Sequence, residues 1–163
     1  MLDFRIKRTQ ELSRSESDPF SETWAYRKRA RVKISTKTRY GMRLMIDIAQ
    51  NQGEGRVALK DVSERQGVSK KYLEQVVAPF VAADLLTVTR GPQGGYRLAQ
   101  PAKDITLADI VGASEDGLEL LTCVLDDEAC ERSCDCTSRH IWGGLQNTIR
   151  SYLEGQTLAD VAH

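Results

Sequence analysis

A mostly α protein with a small β wing is the fold class predicted by three observations. In LKDVSERQGVSKKYLEQVV two short helical patterns flank Gly67. In LLTVTRGPQGGYRLAQP two short alternating strands flank a tip rich in turn formers. Over 141–153, Ile141, Trp142, Leu145, Ile149 and Leu153 fall on one helical stripe. The expected architecture is a winged helix-turn-helix domain followed by a cysteine loop and a long dimerisation helix.

The chain of 163 residues is long enough for one core, or for a small domain with an appended element. Its longest apolar runs fall far short of a membrane span, and MLDFRIKRTQELSRSESDPF lacks the apolar core of a secretory signal. The expectation is a cytoplasmic protein with no membrane partner. Zero formal net charge conceals an asymmetry: residues 1–32 carry +3, residues 33–97 carry +5 and residues 98–163 carry −8. A basic middle attracts phosphate backbones; an acidic tail does not.

Residues 1–31 mix Ser, charge and Pro without a sustained apolar period, so they read as a flexible N-terminal extension. A winged helix-turn-helix domain is expected over 32–100. Its first helix starts at Ser35 or Thr36, which can cap it, and places Tyr40, Leu44, Met45, Ile48 and Ala49 at four-residue spacings. It ends near NQGEGR. Leu59 and Val62 mark the apolar side of the next helix, Gly67 supplies the turn, and Val68 anchors the turn in the core. Ser69 then caps a second helix with Tyr72, Leu73, Val76 and Val77 on its apolar face. Pro79 should kink or end that helix.

The exposed start of this second helix is the expected reader of duplex DNA. Ser69, Lys70 and Lys71 sit where backbone N–H groups favour phosphate. Glu74 can accept from a cytosine amine, and Gln75 can pair with adenine. In the wing, Leu86 and Val88 alternate on one strand, and Tyr96 and Leu98 on the other. Arg90 starts the tip, placed to enter a minor groove. With Arg39, Tyr72 and Gly94 added, the expected DNA-binding set is Arg39, Ser69, Lys70, Lys71, Tyr72, Glu74, Gln75, Arg90 and Gly94.

Residues 101–163 should hold a short helix in ITLADIVGASEDG, then the cysteine loop, then the dimerisation helix. Gly143 and Gly144 weaken that helix locally or let another helix approach. The chain offers little other apolar surface to cover the stripe, so a symmetric homodimer seam is expected, as suits a palindromic operator.

All four cysteines lie in this loop, spaced Cys123-x6-Cys130-x3-Cys134-x-Cys136-x3-His140. Thiolates are soft ligands for zinc or iron–sulfur clusters. The spacing fits neither a pair of C-x2-C zinc knuckles nor a C-x2-C redox pair. Neighbouring Asp126, Asp127, Glu128, Glu131 and Asp135 should raise the thiol pKa values and discourage a bare reactive thiolate.

KISTKTRYGMRLMIDIA, LKDVSERQGVSKKYLEQ, RGPQGGYRLA and the cysteine spacing followed by Trp142 occur in that order. From residue 33 onward the chain resembles the iron–sulfur cluster regulator family of bacterial repressors, the IscR- and NsrR-like proteins. The resemblance implies a dimeric winged helix-turn-helix regulator whose operator binding is tuned by a cluster that senses iron–sulfur supply, redox state or nitric oxide. It assigns Cys123, Cys130 and Cys136 as ligands, Glu74 as the acidic base reader and Arg90 as the wing arginine. Two departures stand out. Arg139 holds the place of the IscR-type histidine, with His140 one position later, so the fourth ligand is His140 or Cys134. Arg39 stands near the place where NsrR-like members carry an acidic residue, which counts against their arrangement. A 2Fe–2S cluster is favoured over 4Fe–4S, with zinc as the alternative cofactor. Other readings are a winged-helix repressor with structural zinc, or a thiol-based oxidant sensor. The sequence shows no phosphate-binding glycine loop, nucleophile elbow or paired-carboxylate constellation, so an enzyme is not expected.

Overall fold

The computed structural model describes residues 34–91, 93–115 and 119–163. The expected extension over 1–31 lies outside them, and residues 34–163 form one compact unit. The order is α1 (Thr36–Asn51), α2 (Leu59–Gln66), α3 (Lys70–Ala82), β1 (Leu86–Thr89), β2 (Gly95–Leu98), α4 (Leu107–Glu115), α5 (Thr122–Leu125), α6 (Arg139–Glu154) and α7 (Leu158–Val161), with short 3-10 turns between.

Local chemistry sets the first boundaries. The Ser35 hydroxyl accepts from the Thr38 N–H at 3.0 Å and caps α1. Gly67 ends α2 with φ 63°, a left-handed conformation that favours glycine. The Ser63 hydroxyl donates to the Val68 carbonyl at 2.6 Å and closes the turn, with Val68 half-buried against the core. The Ser69 hydroxyl accepts from the Tyr72 N–H at 3.3 Å and opens α3.

Pro79 neither ends α3 nor breaks it; the helix runs to Ala82. The hydrogen bond it forgoes belongs to the carbonyl of Gln75, an exposed residue that water can reach. The helix stops instead at Asp84, which takes φ 54°. The Leu85 N–H then bonds the Phe80 carbonyl at 2.9 Å and the Asp84 N–H bonds the Val81 carbonyl at 3.2 Å, a Schellman closure.

The wing is a two-stranded antiparallel sheet with Leu86 opposite Leu98 and Val88 opposite Tyr96. Val57, just before α2, bridges Tyr96 on the other side. A Cβ on Gly95 would lie 2.7 Å from the Val57 carbonyl oxygen, so this close backbone approach requires glycine.

One core joins these elements. Leu44, Met45 and Ile48 of α1 meet Val62 of α2, Leu73, Val76 and Phe80 of α3, and Leu86 and Leu98 of the wing. Ile110 of α4 and Leu158 of α7 enter the same cluster. Each such side chain contributes about 1.5–3 kcal/mol of burial. α7 has only four residues, too few to leave a helical period in the sequence. Paired backbone segments hold it: Leu158 N–H to Ile105 carbonyl at 2.8 Å, and Leu107 N–H to Gln156 carbonyl at 2.9 Å.

One charged group lies inside this packing. The Asp47 side chain on α1 is 2% exposed, and Arg65 on α2 meets it at 2.6 Å. Arg65 Nε also lies 3.2 and 3.1 Å from its two oxygens, and Gln66 Nε2 donates to it at 2.8 Å. Arg43, one turn before Asp47, donates to the Gln66 side-chain oxygen and backbone carbonyl, both at 2.9 Å.

The two ends of this ion pair differ in exposure, 37% for Arg65 against 2% for Asp47. Arg65→Ala strands a buried carboxylate and should cost about 3 kcal/mol, whereas Asp47→Ala leaves a cation that reaches water and should cost about 1–2 kcal/mol. Urea unfolding of both variants measures the order; a larger loss in Asp47→Ala contradicts it.

Candidate nucleic-acid interface and cysteine segment

The first turn of α3 presents Ser69, Lys70 and Lys71 to solvent, with Glu74 and Gln75 exposed one turn on. Lys70 Nζ lies 3.5 Å from Glu74 Oε1, with both side chains more than half exposed. Such a pair is worth about 0–1 kcal/mol and exchanges readily for a base or a phosphate. The wing lies close by: burial, and then the Glu74 carboxylate, raise the Tyr96 phenol above its ordinary value.

The remaining sequence-predicted DNA residues divide. Tyr72 is half-buried, its ring edge-to-face with Tyr40 at 5.6 Å. It braces α3 against α1, and the Arg39 and Arg43 guanidinium carbons lie 5.9 and 5.2 Å from the Tyr40 ring centre. Gly94 shapes the wing tip: its N–H donates to the Gly91 carbonyl at 2.9 Å, and a Cβ there would fall 2.2 Å from the Thr89 carbonyl oxygen. Arg90 is exposed at that tip. Arg56 shares an open depression of about 470 Å³ with Thr89, Arg90, Gly91 and Gln93. No sequence signal marks Arg56, because a single bridging residue beside it is too short for a strand pattern.

The cysteine segment is a chain of single turns. Cys123 is half-buried on α5; Cys130, Cys134 and Cys136 are exposed, and all four are free thiols. His140 is exposed on the first turn of α6. Among the described residues no three His, Cys, Asp or Glu side chains converge as a metal site. The expected ligands Cys123, Cys130, Cys136 and His140 or Cys134 thus share one segment without meeting at a point. As soft thiolate and imidazole donors they fit an iron–sulfur cluster or zinc.

Two side chains of α6 fasten the start of the segment. Gln146, buried in α6, accepts from the Leu120 N–H at 2.7 Å. Arg139 donates to the Cys123 carbonyl at 2.9 Å. Inside the segment the Ser133 hydroxyl is buried and donates to the Cys130 carbonyl at 2.6 Å. The expectation of raised thiols fails at Cys136. The Ser138 hydroxyl, 3.4 Å away, together with the Ser138 and Arg139 backbone and the Arg132 charge, holds this thiol below its ordinary value. Cys136 is exposed, and its hydrogen bond to Ser138 is the largest influence on the thiol.

Upstream, Glu115 ends α4 and reaches the start of α1. It accepts from the Ser35 N–H at 3.0 Å and from the Thr38 hydroxyl. On α6, Ile141, Trp142, Leu145 and Tyr152 are 59%, 42%, 41% and 68% exposed, an apolar stripe that the described residues leave uncovered. Ile149 and Leu153 of the expected seam are half-buried. No helix among the described residues is long and apolar enough to cross a membrane.

The family model described as "Rrf2: Iron-dependent Transcriptional regulator" matches residues 34–163. Protein rrf2 of Nitratidesulfovibrio vulgaris is 38% identical over 130 residues, 80% of this chain and 87% of that protein. Among solved structures, IscR of T. potens has a TM-score of 0.64 and 38% identity, over 80% of this chain and 85% of that one. CymR, described as the global cysteine regulator of B. subtilis, has a TM-score of 0.67 and 34% identity, over 81% of this chain and 97% of that one.

The Thr38 hydrogen bond, with those from Ser35, holds the Glu115 carboxyl below its ordinary value. The stability it confers is therefore full above the ordinary carboxylate pKa and is lost as pH falls through the lowered one. Glu115→Gln should melt below the wild type at neutral pH, with the gap closing on acidification through that window. Melting curves across pH measure this; a gap that is constant in pH contradicts it.

Proposed function

Because the chain belongs to the Rrf2 family of DNA-binding transcriptional regulators, which are not enzymes, we propose that it binds operator DNA as a homodimer in the cytoplasm, its affinity tuned by an iron–sulfur cluster. Cys123, Cys130 and Cys136 would hold that cluster, with His140 or Cys134 as the fourth ligand. One observation carries the reading: every thiol of the chain lies in the segment that joins the winged domain to α6, and that segment is tied to α6 by Arg139 and Gln146. When bound, a 2Fe–2S or 4Fe–4S cluster supplies a cross-link that is sensitive to iron, oxidant or nitric oxide.

The chain's own residues supply the rest. Ser69, Lys70 and Lys71 meet phosphate at the start of α3, where the helix dipole helps. Glu74 accepts from a cytosine amine and Gln75 faces adenine. The α6 stripe of Ile141, Trp142, Leu145 and Tyr152 packs on a second copy and so sets the distance between two α3 helices. Half-sites a helical turn apart, about 34 Å, demand that this distance be held. Because Arg139 binds the carbonyl of a ligand-bearing residue, a change in the segment's order acts on the first turn of α6. A coupling of about 1–3 kcal/mol between segment and operator suffices for a switch.

A second reading, thiol sensing, is favoured by the exposed Cys136 thiol, which its Ser138 neighbour holds below its ordinary value. It is supported too by the likeness to CymR, named a cysteine regulator. A structural zinc site is the third.

Anaerobic purification with iron, acid-labile sulfide and zinc assays separates the three. The cluster reading expects a brown protein with comparable iron and sulfide, and a colourless Cys123→Ala variant whose circular dichroism matches that of the wild type. Stoichiometric zinc, or thiols without metal, supports the alternatives. On an operator selected from random duplexes, Glu74→Ala should lose about 1–3 kcal/mol of discrimination at one base pair. Full retention of that discrimination shows that Glu74 does not read a base.

A further inference from the structure

We infer that Arg56 and Arg90 form a two-guanidinium clamp for a backbone phosphate of the operator, at the wing and outside the base pairs that α3 reads. The inference rests on the proposed docking of α3 and the wing on DNA, and deepens it by adding Arg56.

The two arginines are distant in sequence but share the wall of one open depression of about 470 Å³. Its other lining residues are Thr89, Gly91 and Gln93, a hydroxyl, a bare backbone and an amide, with no carboxylate among them. That composition suits an anion and leaves nothing to neutralise the guanidinium charge from within. Among the described residues the ion pairs are Lys60–Glu64, Arg65–Asp47 and Lys70–Glu74, so neither Arg56 nor Arg90 is drawn to an acid. Two like charges without a counter-ion repel each other, and a phosphate between them relieves that repulsion.

The backbone holds Arg56 in register with the wing. The next residue, Val57, exchanges two hydrogen bonds with Tyr96, each 2.8 Å. A Cβ on Gly95 would lie 3.2 Å from the Arg56 Cβ, which shows how closely the stem of Arg56 lies on the wing strand. Arg56 therefore moves with the wing as a rigid element, while its side chain stays exposed. A guanidinium so placed meets phosphate with little ordering of its backbone. Phosphate contacts fix register and carry no sequence information.

The test uses the full chain and two labelled duplexes, one bearing the site selected by the wild-type protein and one of random sequence. Binding of wild type, Arg56→Gln, Arg56→Lys and Arg90→Gln is measured from about 50 to 200 mM salt, where releasing one phosphate from its cation flattens the log–log slope by about 0.9. The clamp expects Arg56→Gln to flatten the slope by less than about 0.9 per bound protomer, because Arg90 still faces the shared phosphate, and the Arg56→Gln/Arg90→Gln double variant to flatten it by about 0.9, so that the affinity drop over this range shrinks about threefold per protomer. Both duplexes should weaken by one factor, Arg90→Gln should behave alike, and Arg56→Lys should keep the wild-type slope. Circular dichroism of each variant should match wild type, since the side chains are exposed. An unchanged slope in Arg56→Gln, with wild-type site preference intact, overturns the clamp alone. A loss confined to A·T-rich flanks also overturns it, because that marks groove reading instead of phosphate binding. A wild-type protein with no site preference overturns the docking reading beneath it.

Discussion

The buried carboxylate of Asp47 is the constraint on which the placement of α3 depends. A carboxylate taken out of water costs several kcal/mol unless its lone pairs are filled. Here Arg65 and Gln66 fill them, and Arg43 takes hold of Gln66 from the same side of α1. Apolar packing of α1 on α2 is tolerant of small rotations, but these hydrogen bonds are not. They fix the last turn of α2, and from that turn Gly67, Ser63 and Ser69 set the start of α3. Buried ion pairs are poor sources of net stability; what this one contributes is a single orientation for the two-helix unit.

A second set of polar ties relates that unit to the cysteine segment. Glu115 binds the first turn of α1 from the end of α4. Gln146 and Arg139 bind the segment to α6. These groups tie the end of α4 to the start of α1, and α6 to the start of the cysteine segment.

Much of this architecture is legible in the residues because its signals are local. Ser35 and Ser69 caps, the left-handed Gly67 and the alternation of Leu86, Val88, Tyr96 and Leu98 act within a few residues, and each sits where the spacing places it. The α6 stripe is legible from its period, and Ile141, Trp142 and Leu145 of that stripe are exposed. What escapes depends on long-range placement. Asp47 interrupts an apolar face, yet its partner lies 18 residues away. Arg56 gains meaning only from a backbone bridge to the wing. α7 is too short to show a period. Pro79 signals a break by its intrinsic cost, which the surrounding core outweighs. The thiols are legible as a donor set but not as a geometry, because exposed turns have no packing to draw them together.

The most direct measurement of the coupling is operator affinity on one anaerobic preparation, assayed for iron and sulfide, before and after removal of metal by a chelator. Segment-to-helix coupling predicts that both forms stay folded and that their affinities for the selected operator differ by about 5- to 150-fold. Equal affinities, with the cluster present in one sample and gone from the other, would contradict it.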